Sequence, residues 1–172
     1  GRDLAAQSSL SPLAKMTVEQ KVGQTLIWSF QGTEVTPSLE ESLNLYQIGG
    51  IIFFKRNIAT TDQIAKLNQD LQKLAKRSLK APLFLMIDQE GGVVTRIRVN
   101  TPLPSALALG STRDSSLIHE YAKANGDLLL GLGFNFNLAP VLDLSDSKKD
   151  TFIGNRSFGG DPQQVTELAM AY

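Results

Sequence analysis

The chain has 172 residues, long enough for one ordinary domain with a sizeable core. Lysine plus arginine and aspartate plus glutamate number 17 each, so no net charge draws it towards nucleic acid or an anionic membrane, and a small or neutral molecule is the expected partner. With no cysteine and a single histidine, His119, the sequence excludes a disulfide framework, a thiolate metal site and a histidine-rich metal site.

No apolar run approaches the roughly 20 residues that cross a bilayer, and the N-terminus lacks the apolar core of a signal peptide. Residues 1–14 read as a small, polar, linker-like segment ahead of a folded part over 15–172, a start that leans weakly towards export. A removed leader and a cloning remnant explain the first residue, Gly1, equally well.

Thr17 is placed to cap a helix over VEQKVGQ, with Gln20 completing a capping box. TLIWSF (25–30) predicts a first strand. Thr36-Pro37-Ser38 opens a helix through Tyr46, and Gly49-Gly50 leads into IIFF (51–54), a second strand. From Thr61 a longer amphipathic helix carries Ile64, Leu67, Leu71 and Leu74 at helical spacing. PLFLMI (82–87) has no polar–apolar alternation, which predicts a strand buried on both faces, as in a parallel sheet covered by helices.

Leu103 to Gly110 reads as irregular, and Ser115 to Leu132 returns to helical periodicity. FNFNLAPVLDL (134–144) reads as a fourth strand. Asp161-Pro162, an N-cap followed by proline at the first helical position, starts a last helix that reaches Tyr172 without a stop signal. Strands alternating with helices at this spacing specify an α/β fold with a parallel sheet and right-handed crossovers. About four to five such units fit here, against the roughly 250 residues of a complete (β/α)8 barrel, and a doubly wound sheet fits the alternation equally well.

The chemistry concentrates after PLFLMI, in Asp88-Gln-Glu-Gly-Gly-Val-Val-Thr-Arg-Ile-Arg98. A buried strand delivers Asp88 to the carboxyl edge of the sheet, where ligand sites of parallel α/β folds gather. Gly91-Gly92 makes a turn, and Arg96 and Arg98 follow. A carboxylate accepts hydrogen bonds from neutral hydroxyls, and an arginine forks across two oxygens, a combination suited to a sugar. The bland alternative is a solvated turn whose carboxylates cap the backbone.

Asn155-Arg156-Ser-Phe158-Gly-Gly160 repeats the theme after the fourth strand, with Arg156 balanced between ligand contact and surface residue. Gly131-Leu-Gly133 lacks the third glycine of a dinucleotide fingerprint and precedes a strand instead of following one, and no Walker sequence occurs, so no nucleotide cofactor is expected. His119, on a helix between Ile118 and Glu120, reads as a surface or partly buried histidine.

IGGIIFFKRN, IDQEGGVVTRIR, LPSALALG, FNFNLAPVLDL and IGNRSFGGDP, in that order, resemble the family 3 glycoside hydrolases, specifically the bacterial β-N-acetylhexosaminidase branch, from about Met16 to Tyr172. The β-glucosidase branch of that family carries a different, histidine-containing sequence after the same strand. The resemblance implies the N-terminal portion of a (β/α)8 TIM-type barrel. It also implies removal of a terminal N-acetylglucosamine from cell-wall (peptidoglycan) fragments or related β-linked glycosides, with retention of configuration and without cofactor or metal. Asp88 would hold hydroxyls of the sugar, and Arg96 and Arg156 would add donors around the same ring.

Two departures stand out. Val93 occupies a place where many members carry arginine, and the family's Lys-His segment, histidine acid/base loop and aspartate nucleophile do not occur before Tyr172. Asp143 matches the end of the family's APVLD strand, where bracing and sugar contact are equally expected. No catalytic residue is therefore assigned within these 172 residues, and the C-terminal half of the barrel is the expected partner. Two alternatives stay open: a non-catalytic carbohydrate-binding or structural half-barrel, and a family 3 β-glucosidase or phosphorylase.

Overall fold

A computed structural model describes residues 12–79, 81–145 and 152–172. The chain divides into two compact units, Gly1–Leu85 and Met86–Tyr172. Most of the linker-like start, and the DSKKDT stretch after Ser145, lie outside the described residues; Pro12–Lys15 form a 3-10 turn.

In the first unit, α1 (Val18–Gln24) begins with the capping box expected from the sequence: Gln20 N–H donates to Thr17 Oγ1 at 3.2 Å and Thr17 N–H to Gln20 Oε1 at 3.1 Å. β1 (Ile27–Trp28) follows, then α2 (Pro37–Tyr46), capped by Thr36 and ended by Gln47 in the left-handed region at φ 51°. β2 (Gly50–Phe53) pairs in parallel with β1, Ile27 opposite Gly50. α3 (Thr61–Ser78) is capped by Thr60 and buries Ile64, Leu67, Leu71 and Leu74, the stripe predicted from spacing. β3 (Phe84–Ile87) starts against β2, where Phe84 N–H donates to Gly49 O at 2.9 Å.

In the second unit the end of β3 pairs in parallel with β4 (Phe136–Asn137), Met86 opposite Phe136 and Ile87 opposite Asn137. The strand order is β1-β2-β3-β4. Three helices accompany the pair: α4 (Ala106–Thr112), α5 (Ser115–Gly131) and α6 (Pro162–Ala171). Ala106, Leu109, Ile118, Phe158, Val165 and Leu168 form a buried cluster that binds α4, α5 and α6 together. Asp161 caps α6 through Gln163 and Gln164 N–H, with Pro162 at its first position, as the sequence predicts.

Three expectations are corrected. Leu103 to Gly110 is not irregular throughout: Ser105 accepts from Ala108 N–H at 3.2 Å and opens α4. The first and fourth strands contract to two residues each, because a ladder lasts only while the neighbouring backbone keeps register; beyond Leu138, whose N–H still reaches Ile87 O at 2.8 Å, Pro140 has no N–H to offer. The third strand is buried at Leu85, Met86 and Ile87, but Phe84 is 51% exposed, so its burial on both faces does not extend to its start. Among the described residues no helix is long and apolar enough to cross a membrane.

Candidate sugar-binding site

β3 ends at Ile87, so Asp88 and the residues after it leave the sheet from a strand's carboxyl end. The chain then doubles back: Glu90 N–H donates to Val94 O at 3.0 Å and Val94 N–H to Gly91 O at 3.2 Å. Gly91 and Gly92 take φ of 92° and 56°. A Cβ on Gly91 would lie 2.2 Å from Pro104 O, so both conformation and space require glycine there.

Each carboxylate released by this turn is forked by an arginine. Arg96 donates through Nε to Asp88 Oδ1 at 2.9 Å and through Nη2 to Asp88 Oδ2. Arg156 donates through Nε to Glu90 Oε2 at 2.8 Å and through Nη2 to Glu90 Oε1 at 2.7 Å. The Glu90 side chain is only 6% exposed and that of Arg156 25%, whereas Asp88 and Arg96 stand at 19% and 27%.

Both guanidinium groups are held above arginine's ordinary range. For Arg96 the hydrogen bonds to Asp88 are the main cause, opposed by burial; the charges of Asp88 and Glu90 add to the rise and that of Arg156 opposes it. For Arg156 the hydrogen bonds to Glu90 come first, opposed by burial, with the charges of Glu90, Asp143 and Asp88 adding to the rise. The two pairs therefore act on one another electrostatically. Their charges sum to zero, while the carboxylates supply acceptors and the guanidinium groups supply donors. Such a surface offers hydrogen bonds of both kinds to a neutral polyhydroxyl ring.

Arg156 is the last residue of a 3-10 turn, Gly154–Arg156, and its guanidinium lies 5.8 Å from the centre of the exposed Phe152 ring. Ser157 Oγ, donating to Asp143 O at 2.5 Å, ties this segment to the chain leaving β4. Asp143 thus braces the segment through its main chain and acts on Arg156 through its charge.

The sequence-predicted residues Asp88, Arg96 and Arg156 thus lie in one unit, with Glu90 as the partner of Arg156. Arg98 and Val93 are exposed, and so is His119, whose Nδ1 lies 3.2 Å from Ala171 O. Sequence reasoning passed over three supporting residues. Asn137 and Asn125 hold the main chain of Gln89, and Gln89 itself has no exposed surface. Asn125 did leave a signal, as a polar residue on the stripe that buries Ile118 and Leu129. Among the described residues no cluster of three or more histidine, aspartate or glutamate side chains could hold a metal ion.

The family model of the glycosyl hydrolase family 3 N terminal domain matches residues 17–172. The chain belongs to that family. Among solved structures, a family 3 β-N-acetylglucosaminidase from a Paenibacillus species superposes with a TM-score of 0.86 at 40% identity, over 91% of this chain and 30% of that one. NagZ from Neisseria gonorrhoeae superposes with a TM-score of 0.77 at 28% identity, over 85% of this chain and 43% of that one. Beta-hexosaminidase A from Pseudoalteromonas piscicida is 34% identical over 91% of this chain, and beta-hexosaminidase LpqI from Mycobacterium tuberculosis 31% identical over 92%. The chain spans 30% and 39% of the length of these two relatives. The four parallel strands with their helices are accordingly part of a family 3 α/β barrel, as the resemblance implied.

Proposed function

We propose that this chain supplies the sugar-binding part of a β-N-acetylhexosaminidase that removes terminal β-linked N-acetylglucosamine, from peptidoglycan fragments or related glycosides, with retention of configuration. The carrying observation is the double arginine–carboxylate arrangement at the end of β3, neutral in sum and rich in both donors and acceptors. Asp88 and Arg96 present the more exposed pair to the sugar hydroxyls, and Arg156 adds donors from the other pair.

Neither Asp88 nor Glu90 is assigned the covalent chemistry. Retaining hydrolysis needs one carboxylate free to attack the anomeric carbon and an acid about 5–5.5 Å away to protonate the leaving oxygen. Here both carboxylates are immobilised by forked guanidinium groups. The nucleophile and the acid/base group come from the remaining part of the barrel in the whole enzyme.

Titrating the ¹⁵N-labelled chain with N-acetylglucosamine tests the binding half of this reading: the side-chain Nε–H signals of Arg96 and Arg156 shift in wild type, and Asp88→Ala weakens binding about tenfold or more. Unmoved arginine signals at saturating sugar would sink it. An assay on an aryl N-acetylglucosaminide tests the division of labour, with no turnover expected from this chain alone; turnover at the rate of a full-length relative would overturn that part.

A further inference from the structure

In the sequence Gln89 lies between the two arginine-bound carboxylates, and it has no exposed surface. Its main chain is gripped from two elements. Its N–H donates to Asn137 Oδ1 at 3.0 Å at the end of β4, and its carbonyl accepts from Asn125 Nδ2 of α5 at 3.1 Å and from Asn137 Nδ2 at 3.3 Å. With the main chain fixed, the side-chain amide is directed inside the turn. There Oε1 accepts from the N–H groups of Arg96 at 2.8 Å and Ile97 at 2.9 Å, and Nε2 donates to Ile97 O at 2.8 Å.

These three bonds close the excursion from Asp88 to Ile97 at its base. An arginine loses much rotamer freedom when its head group is fixed, so a forked pair at a partly exposed site depends on where its main chain is anchored. Arg96 is anchored to the residue next to Asp88, which leaves its guanidinium within reach of that carboxylate. Arg156 comes from a separate segment and forks Glu90. A leucine or methionine at 89 would fill the same volume but leave two buried N–H groups and a carbonyl without partners.

We propose that Gln89 is a positioning residue, an amide clamp through which β4 and α5 set Arg96 onto Asp88 without setting Arg156 onto Glu90. Its effect on sugar affinity rests on the function proposed above; its effect on the ion pair does not. Gln89 touches no sugar and acts through Arg96 alone.

The test uses the ¹⁵N-labelled full chain. In wild type the main-chain amides of Arg96 and Ile97 exchange with deuterium about a hundredfold more slowly than that of Arg98. In Gln89→Met the Arg96 Nε–H signal is lost to solvent exchange while that of Arg156 persists, and N-acetylglucosamine binds about tenfold more weakly. A general loss of structure would remove both arginine signals, so the split between them is specific to positioning.

Persistence of the Arg96 signal in Gln89→Met overturns the proposal. If that variant does not fold, the wild-type exchange decides: protected Arg96 and Ile97 amides support the clamp, and amides as labile as that of Arg98 overturn it. A split in the arginine signals in a chain that binds no N-acetylglucosamine leaves the clamp standing and removes the sugar reading instead.

Discussion

Both units fix a strand-end loop with a fully buried amide, and they do different things with it. After β2, Asn57 donates to Phe30 O at 3.0 Å and Gly32 O at 2.9 Å and accepts from Phe54 N–H at 3.0 Å. Every one of those partners is neutral backbone. After β3, Gln89 performs the same closure between two carboxylates, each carrying its own arginine. The amide is thus a general device of this chain for holding loops at strand tips. What sets the second loop apart as a candidate site is partly buried charge, which is costly to place and clusters at functional sites.

That contrast can be broken in four ways. The largest effect is expected for Glu90→Ala, which leaves Arg156 partly buried without its partner: a loss of about 3 kcal/mol in urea unfolding, with the Arg156 Nε–H signal gone. A loss below about 1 kcal/mol would mean that the pair is solvated like any surface pair. Asn57→Ala is expected to cost about 2 kcal/mol, because two carbonyls lose donors, while the signals of both site arginines stay in place. Loss of either signal would show that the first loop is more than scaffold.

Glu40→Ala removes the partner of Arg77, a pair whose side chains are 40% and 65% exposed, and is expected to cost less than about 1 kcal/mol on the same urea scale. A cost equal to that of Glu90→Ala would erase the distinction drawn from burial.

The smallest effect at neutral pH belongs to Tyr121→Phe. Burial, aided by the neighbouring Tyr172, pushes the Tyr121 phenol up to about 12, and its hydroxyl has no hydrogen-bond partner among the described residues. Since the unfolded chain releases this proton near the ordinary value of 10.0 and the folded one holds it to about 12, the contribution is intact below pH 10 and is lost as pH rises between those values. Phenylalanine abolishes that alkaline loss and leaves stability near pH 7 unchanged or slightly higher. Urea titrations at pH 7 and 11 check it, and an undiminished fall at pH 11 in the variant would assign the alkaline sensitivity elsewhere.

What the sequence shows here follows the range of the forces involved. The caps at Thr17, Thr36 and Asp161 satisfy N–H groups two or three residues away, so a short pattern specifies them. The stripe on α3 is equally local. Asp88 could be singled out because a buried strand must release its next residue at the rim. The ends of β1 and β4 could not be read, since a strand lasts only as long as its neighbour allows. Helix α4 was hidden by Pro102 and Pro104 just ahead of it, although Ser105 in front of an alanine–leucine run was a usable cap signal. The pairing of Glu90 with Arg156 spans 66 residues and leaves no mark in either local pattern. Gln89 was overlooked because its neighbours are the charged ones.

Gly110 on α4 lies so near the strip that bears Arg156 that a Cβ there would sit 2.0 Å from Phe158 O, and Gln164 Nε2 bridges the two backbones with bonds of 3.1 Å to Gly110 O and Phe158 O. One added methyl group at that contact is a wedge: it levers the strip outwards and draws the Arg156 guanidinium off Glu90. Damage to the proposed sugar site can therefore originate on a helix outside it.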